Sequence, residues 1–271
     1  MSGCIEGYAN NEVAGLTYDA LPNSYVAALH HTFRNKIFNP LADEAASEAL
    51  VGKRQAWQQD GAVTVFTSGV YDMLHLDHAA YLLHTKASGA ALHYEQEHAG
   101  KQWVDLETDK QRSYTAWALG NRSLRLVVSV DGDASVAKRK GNNPQKGGGP
   151  RPIFAWDTRA LMVASLSYVN PADADAEDLR PTVDAVTIHG PDDFPGGHTH
   201  ASHMTLVEAL QPDVWAVFEE SQDIIEEAPT RPGLATVALR CIRDGAGVHY
   251  FEDTNISKLT TTSIIKRILG T

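Results

Sequence analysis

The chain has 271 residues, 43% of them hydrophobic, and a formal net charge of −11 at pH 7. That apolar content supplies a core for one large domain, or one domain with an extension, and excludes a disordered chain. The acidic balance argues against a general nucleic-acid binder, which needs a basic face to displace counterions, but leaves room for a small anion held by a few local cations. No run approaches the roughly 18 apolar residues of a membrane span. Met1 to Glu6 carry no basic-then-apolar leader, and Cys4 and Cys241 make neither a disulfide framework nor a metal knot. The expectation is a cytoplasmic protein with no nucleic-acid and no membrane partner.

In chain order, residues 1–60 read as a mostly helical N-terminal extension, with helical apolar spacing over Ser24 to Phe33 and strong helix formers over Asp43 to Val51. Ala62 to Thr67 is a β-branched run and the first predicted strand, ending at Ser68-Gly69. A helix is predicted from His75–His78 through His84. Residues 86–123 hold a polar, irregular stretch from Tyr94 to Arg112 and then another helix, read as an insertion or a second-layer helix pair. Leu124 to Val130 is a nearly continuous apolar run, as a strand covered on both faces should be. Asp157 to Val169 is predicted helical, Val183 to Ile188 a strand, Leu206 to Leu210 a short helix and Asp213 to Phe218 a strand. Ala235 to Asp244 is predicted helical, Gly247 to Phe251 a fifth strand, and Thr262 to Leu269 a closing helix. Strands alternate with helices from residue 62 onward, so residues 61–271 are predicted to form one Rossmann-like α/β domain. Its sheet should be doubly wound and mostly parallel, with right-handed crossovers and the chemistry just after the strand ends.

The residues that stand out for chemistry are His75 and His78, which follow the Ser68-Gly69 turn at a helix start. Three residues apart, the two imidazoles share nearly one helix face, and the open amides of that helix end attract phosphate. Such donors suit phosphoryl or nucleotidyl transfer, where catalysis is positioning and charge stabilisation. Gly69 permits close backbone approach. The same pair also reads as two ordinary helix histidines.

Gly69-Val70-Tyr71-Asp72-Met73-Leu74-His75-Leu76-Asp77-His78 resembles the GxFDxxHxGH signature of the cytidylyltransferase-like nucleotidyltransferases. Four further segments follow in the family's order. Ser129 to Gly141 is similar to its second-strand segment with an acidic residue and a trailing lysine. Arg151-Pro152-Ile153 with Arg159 resembles the next element. Leu210 to Val214 resembles the proline-aspartate lead-in to the fourth strand, and Leu259 to Ile268 is similar to the terminal ISTTxIIxRI signature. By pattern, the heptose-1-phosphate adenylyltransferase and glycerol-3-phosphate cytidylyltransferase branches are nearest.

The resemblance implies that a phosphate oxygen of a phosphorylated sugar or polyol attacks the α-phosphate of CTP or ATP in line, and that pyrophosphate leaves. It implies catalytic roles for His75, His78, Lys140 (or Lys138) and Arg159. It puts the nucleotide against Thr67, Ser68, Gly69, Tyr71, Asp72 and Asp133, and against the hydroxyls and helix-start amides of Thr260, Thr261, Thr262 and Ser263. Mg²⁺ is implied as the ion offsetting phosphate charge, a small-molecule phosphorylated acceptor as partner, and a homodimer as the assembly. Taken alone, the threonine run also reads as an N-cap.

The chain departs from the pattern at Asp77, where the family has glycine. A carboxylate there competes with phosphate for the helix amides, and two like charges about 4 Å apart repel by roughly 1–4 kcal/mol at dielectrics between water and a protein surface. Asp77 therefore points away, holds Mg²⁺, or marks a catalytically altered or inactive nucleotide-binding module. Phe218-Glu219-Glu220-Ser221 and Lys258 also depart, so substrate identity does not carry over. His198, His200 and His203 read as a polar loop rather than a Zn²⁺ site. Lys146 to Arg151 lacks the Walker spacing and reads as a mobile lid bringing Arg151 to the triphosphate, or as a plain linker.

Overall fold

The computed structural model describes residues 32–38, 44–141, 150–169, 179–189, 206–218, 234–239, 242–244 and 247–249. Strand β1 (Ile37–Phe38) precedes helix α1 (Glu44–Gln59) and strand β2 (Val63–Gly69). Helices α2 (Leu76–Ala87), α3 (Ala90–Glu97) and α4 (Thr108–Gly120) lead to strand β3 (Leu124–Asp131), then to helices α5 (Asp133–Lys140) and α6 (Trp156–Ala164). Strands β4 (Ser167–Val169), β5 (Leu179–Pro181) and β6 (Ala185–His189) follow, then a helical segment over 206–210. Strands β7 (Val214–Phe218), β8 (Ala235–Leu239), β9 (Ile242–Asp244) and β10 (Gly247–His249) complete the described elements. Six strands form one parallel sheet in the order β1-β6-β3-β2-β7-β8.

The fold is a Rossmann-like α/β sheet, wound on both faces. Val63, Val65, Leu126, Val128 and Val130 pack toward Tyr81, Leu82, Leu119 and Val163 of α2, α4 and α6. Phe66, Val127 and Trp215 pack toward Leu50 and Trp57 of α1 and toward Leu206 and Leu210. Neighbours such as Val127 and Val128 thus go to opposite cores, as the period of 2 along a strand requires. Strand order reverses at β2, which has β3 on one side and β7 on the other. Ligands on such sheets sit in the crevice at the carboxyl ends where that reversal occurs.

Two aspartates set the register at the opposite, amino edge. Asp213, just before β7, donates its N–H to the Thr64 carbonyl at 2.9 Å, and its Oδ2 accepts from the Thr64 N–H at 2.8 Å. Asp184, just before β6, makes the same ring with Leu126, both bonds at 2.9 Å. Asp184 also takes Lys86 Nζ at 2.8 Å and Arg125 Nη1 at 3.2 Å, which keeps the buried Lys86 charge paired. Burial is the main influence lowering the pKa of Lys86, and Asp184 opposes it.

Several expectations are corrected. Ala235 to Asp244 is not helical: Ala235–Leu239 lies along β7 over five residue pairs and Ile242–Asp244 is a separate strand. An open parallel edge at β7 outweighs the helix propensity of the alanines and leucine. The strand at Gly247–His249 pairs antiparallel with β9 in its own ribbon, outside the main sheet. The helix expected to reach Val169 stops at Ala164, and Ser167–Val169 turns into a ribbon with Leu179–Pro181. Within the mostly helical extension, Ile37–Phe38 adds an edge strand beside β6 that the sequence reading did not name. Residues 1–31, Lys146 to Gly149, Glu219 to Ser221, the histidines 198, 200 and 203, Lys258 and the whole terminal segment, including its expected helix, lie outside the described residues.

Helix α1 belongs to the core rather than to a detached extension. Trp57 is 7% exposed among Leu50, Phe66 and Trp215. Trp57→Ala is expected to destabilise the protein by about 3–5 kcal/mol, read from the urea midpoint. An unchanged midpoint would mean that α1 is dispensable to the sheet.

Candidate active site

The site begins where β2 runs out of partners. Ser68 and Gly69 are half-buried at its carboxyl end. A Cβ on Gly69 would come within 2.9 Å of Tyr71 Cζ, so only glycine lets the Tyr71 ring fold back over the strand tip. Tyr71 (φ 50°) and Met73 (φ 65°) both lie in the left-handed region. Residues other than glycine hold that conformation only when their surroundings over-determine it, at roughly 1–3 kcal/mol each.

Asp72, between them, supplies that constraint. Its buried carboxylate accepts from Arg151 Nε at 2.5 Å, from the Ile153 N–H at 2.9 and 3.0 Å and from the Phe154 N–H at 3.1 Å. The turn after β2 is thereby tied to the loop that opens α6. Arg159 completes the tie. With no exposed side-chain surface, it donates from Nε to the Phe154 carbonyl at 2.9 Å and from Nη1 to the Val70 carbonyl at 2.5 Å. Its Nη2 donates to the Asp131 carbonyl at 2.5 Å and to Asp133 Oδ1 at 2.8 Å.

This frame presents the two histidines. His75 is the N-cap residue of α2, with extended backbone and no side-chain cap bond. The imidazoles of His75 and His78 stack with centroids 3.9 Å apart and planes at 28°. Tyr71 meets His78 edge-on at 5.5 Å. Asp77 is 6% exposed, and its Oδ2 lies 3.8 Å from His75 Nδ1, an ion-pair separation rather than a hydrogen bond. Burial pushes the His78 pKa down to about 3, helped by His75, Lys140 and Arg151, while a hydrogen bond to the Met73 backbone opposes it. Burial also lowers His75, with Asp77 opposing.

The arrangement sorts the residues proposed from sequence. His75, His78 and Lys140 come together, and Arg151 joins them. Arg159, expected to serve the triphosphate, has its guanidinium engaged by carbonyls and by Asp133, and so acts in this structure as an internal staple. Thr67 and Asp72, also expected against the nucleotide, have partners inside the protein. The Thr67 hydroxyl is buried against Tyr81 Oη at 2.6 Å, and Asp72 serves the 151–154 loop. Tyr71 is 3% exposed and supports His78 from below, and Asp133 anchors Arg159. Thr260, Thr261, Thr262 and Ser263 lie outside the described residues. Asp77 is turned inward, against His75, rather than toward solvent, and all three explanations given for it stay open. Sequence reasoning missed the Asp72–Arg151 pair, whose partners are separated by 79 positions. It also missed Ser135, whose buried Oγ at the start of α5 has no hydrogen-bond partner among the described residues. Only the ordered family segments hinted at the first, and nothing in the sequence hinted at the second.

No family model matches the chain. The bifunctional protein HldE of Cronobacter sakazakii is 24% identical over 165 residues, which covers 59% of this chain and 25% of that protein. HldE of Chromohalobacter salexigens is 28% identical over 169 residues, covering 59% and 26%. The chain thus spans about a quarter of the length of these curated relatives. Among solved structures, the lipopolysaccharide core biosynthesis protein from Thermoplasma volcanium aligns over 66% of this chain and 98% of its own, with a TM-score of 0.30 and 17% identity.

A buried, neutral His78 has a consequence for acid stability. Its folded pKa of about 3 is below the ordinary 6.5, so between those values the unfolded chain holds a proton that the folded one lacks. The stabilisation is complete above pH 6.5 and is lost as pH falls toward 3. One proton corresponds to about 1.4 kcal/mol per pH unit. Urea unfolding of His78→Gln at pH 7, 6 and 5 should give a pH slope shallower than wild type by about that amount; parallel slopes would show that His78 titrates normally.

Proposed function

We propose that the chain is a nucleotidyltransferase of the cytidylyltransferase-like kind that transfers a nucleoside monophosphate from CTP or ATP to a phosphorylated sugar or polyol, releasing pyrophosphate; its similarity to HldE supports this reading. The observation that carries this reading is the stacked His75–His78 pair at the mouth of α2, at the carboxyl end of the strand where the sheet order reverses.

In this reading the triphosphate lies over the turn 69–75, with its α-phosphate toward the first-turn amides of α2. Lys140 and Arg151, whose charges both act on His78, serve the phosphate oxygens in this reading. Arg151 does so while its Nε holds Asp72. An oxygen of the acceptor's phosphate attacks the α-phosphorus from the side opposite the leaving group. The new P–O bond forms as the bond to the β-phosphate oxygen breaks, and pyrophosphate departs with that electron pair. No bond to the protein forms. Among the described residues no group of three metal-ligating side chains stands together. Mg²⁺ is part of this proposal as the ion that would offset the charge of the triphosphate. Thr260 to Ser263 are proposed as the second phosphate cradle.

A second reading is a nucleotide-binding module without turnover, favoured by the carboxylate of Asp77 in the first turn of α2. Pyrophosphate release, measured with CTP and ATP against a panel of phosphorylated sugars and polyols, separates the two. Release is expected with one pairing and should fall by about 10²–10³-fold in His75→Ala. Calorimetric nucleotide binding with no release from any pairing would favour the binding module.

A further inference from the structure

Two imidazoles in face contact cannot both be cations at little cost. At 3.9 Å between centroids, two positive charges repel by roughly 1–4 kcal/mol at effective dielectrics between water and a protein surface. At most one ring can then carry an added proton when an anion lies beside the pair, and the surroundings decide which.

The groups facing the pair come from three places. The turn after β2 supplies the Tyr71 edge against His78 and the Met73 backbone. Helix α5 and the loop before α6 supply Lys140 and Arg151, both cations that act against a charge on His78. The first turn of α2 supplies Asp77, whose carboxylate lies 3.8 Å from His75 Nδ1. Asp72, the other carboxylate close by, is engaged by Arg151 and by the Ile153 and Phe154 amides. The cations thus crowd His78 and the buried acid sits against His75.

We propose that Asp77 is a positioning residue that makes His75, and not His78, the imidazole that takes up a proton when phosphate reaches the mouth of α2. Resting on the nucleotidyltransferase reading, this gives the two histidines unlike tasks. Protonated His75, held from behind through Nδ1 by Asp77, donates its Nε2–H to a non-bridging oxygen of the α-phosphate and keeps its proton throughout transfer. His78 stays neutral and backs the first ring by stacking. The charges then alternate from Asp77 to the His75 imidazolium to the phosphate, which offsets the repulsion that a carboxylate at this position would otherwise impose. Pairs of titratable groups with divergent environments divide acid and base roles in this way.

NMR titration of the histidine rings in the full chain tests the idea, with His75 and His78 assigned through His75→Gln and His78→Gln. Inorganic pyrophosphate is the probe, followed by CTP and ATP. In the wild type His75 should titrate at higher pH than His78, and pyrophosphate should raise it further. In Asp77→Asn the His75 pKa should fall by about one unit or more, with and without pyrophosphate. If pyrophosphate does not bind, the comparison without it still decides. An unchanged His75 in Asp77→Asn, or His78 titrating above His75 in the wild type, overturns the proposal, and the second result does so even if the variant does not fold. Where turnover is measurable, the high-pH limb of kcat/KM should move to lower pH in Asp77→Asn, because a less basic His75 loses its proton sooner. Coupling of Asp77 to His75 without pyrophosphate release would sink the catalytic reading and leave the assignment of the proton standing.

Discussion

The guanidinium of Arg159 is the interaction on which the rest of the site depends. It is wholly buried, and it bonds the carbonyls of Val70, Asp131 and Phe154 and the carboxylate of Asp133. Those acceptors belong to the turn after β2, the end of β3, the loop before α6 and the start of α5. The turn after β2 and the end of β3 leave the parallel sheet at its carboxyl edge, where strand hydrogen bonding stops and carbonyls lose their partners. One planar fork with several donors satisfies them together, a task for which a lysine ammonium has the wrong geometry. Removing it would leave buried carbonyls unmet and the charge of Asp133 unpaired, so the position of the histidines is set by an arginine that touches neither.

From that staple the site can be rebuilt outward. Arg159 fixes Val70, and Asp72 then ties the turn to the loop at Arg151–Phe154. Together they hold Tyr71 and Met73 in the left-handed conformation, and that bend starts α2 at His75 instead of letting β2 run on. The histidines stack because they sit three residues apart on this helix start. The precision belongs to backbone geometry held by buried ion pairs, while Lys140 and Arg151 add charge around it.

Much of this order was legible in the sequence. The β-branched run before Ser68 and the apolar run at Leu124 to Val130 mark the central strands because burial on both faces demands such composition. The paired histidines after a glycine turn mark the helix mouth. Other parts were hidden for physical reasons. Ala235 to Leu239 carries helix formers and becomes a strand only because β7 offers an edge. Ile37–Phe38 is too short to show a period. Arg159 and Asp72 stand out in the sequence, but their buried partners do not. Sequence records that an arginine or aspartate is present, not whether its charge faces a ligand or the interior. Asp77 was the reverse case: its identity announced a departure, and only its contact with His75 gave the departure a direction.

The charge balance of the described site sharpens that point. Arg151 is paired with Asp72, and Asp77 lies against His75, so buried carboxylates stand close to the cations that act on the imidazoles. A nucleoside triphosphate approaching such a cluster on an acidic protein would gain little from long-range attraction. Under the proposed function it would be held instead by oriented amides at the helix mouth and by the positive charge that its own arrival creates. A proton taken up by one imidazole would be such a charge, present where the phosphate lies and only with the phosphate there. The proposed role of Asp77 follows the same logic: an aspartate where the resembled signature has glycine would weaken the resting field of the site and strengthen the response of one ring to the ligand.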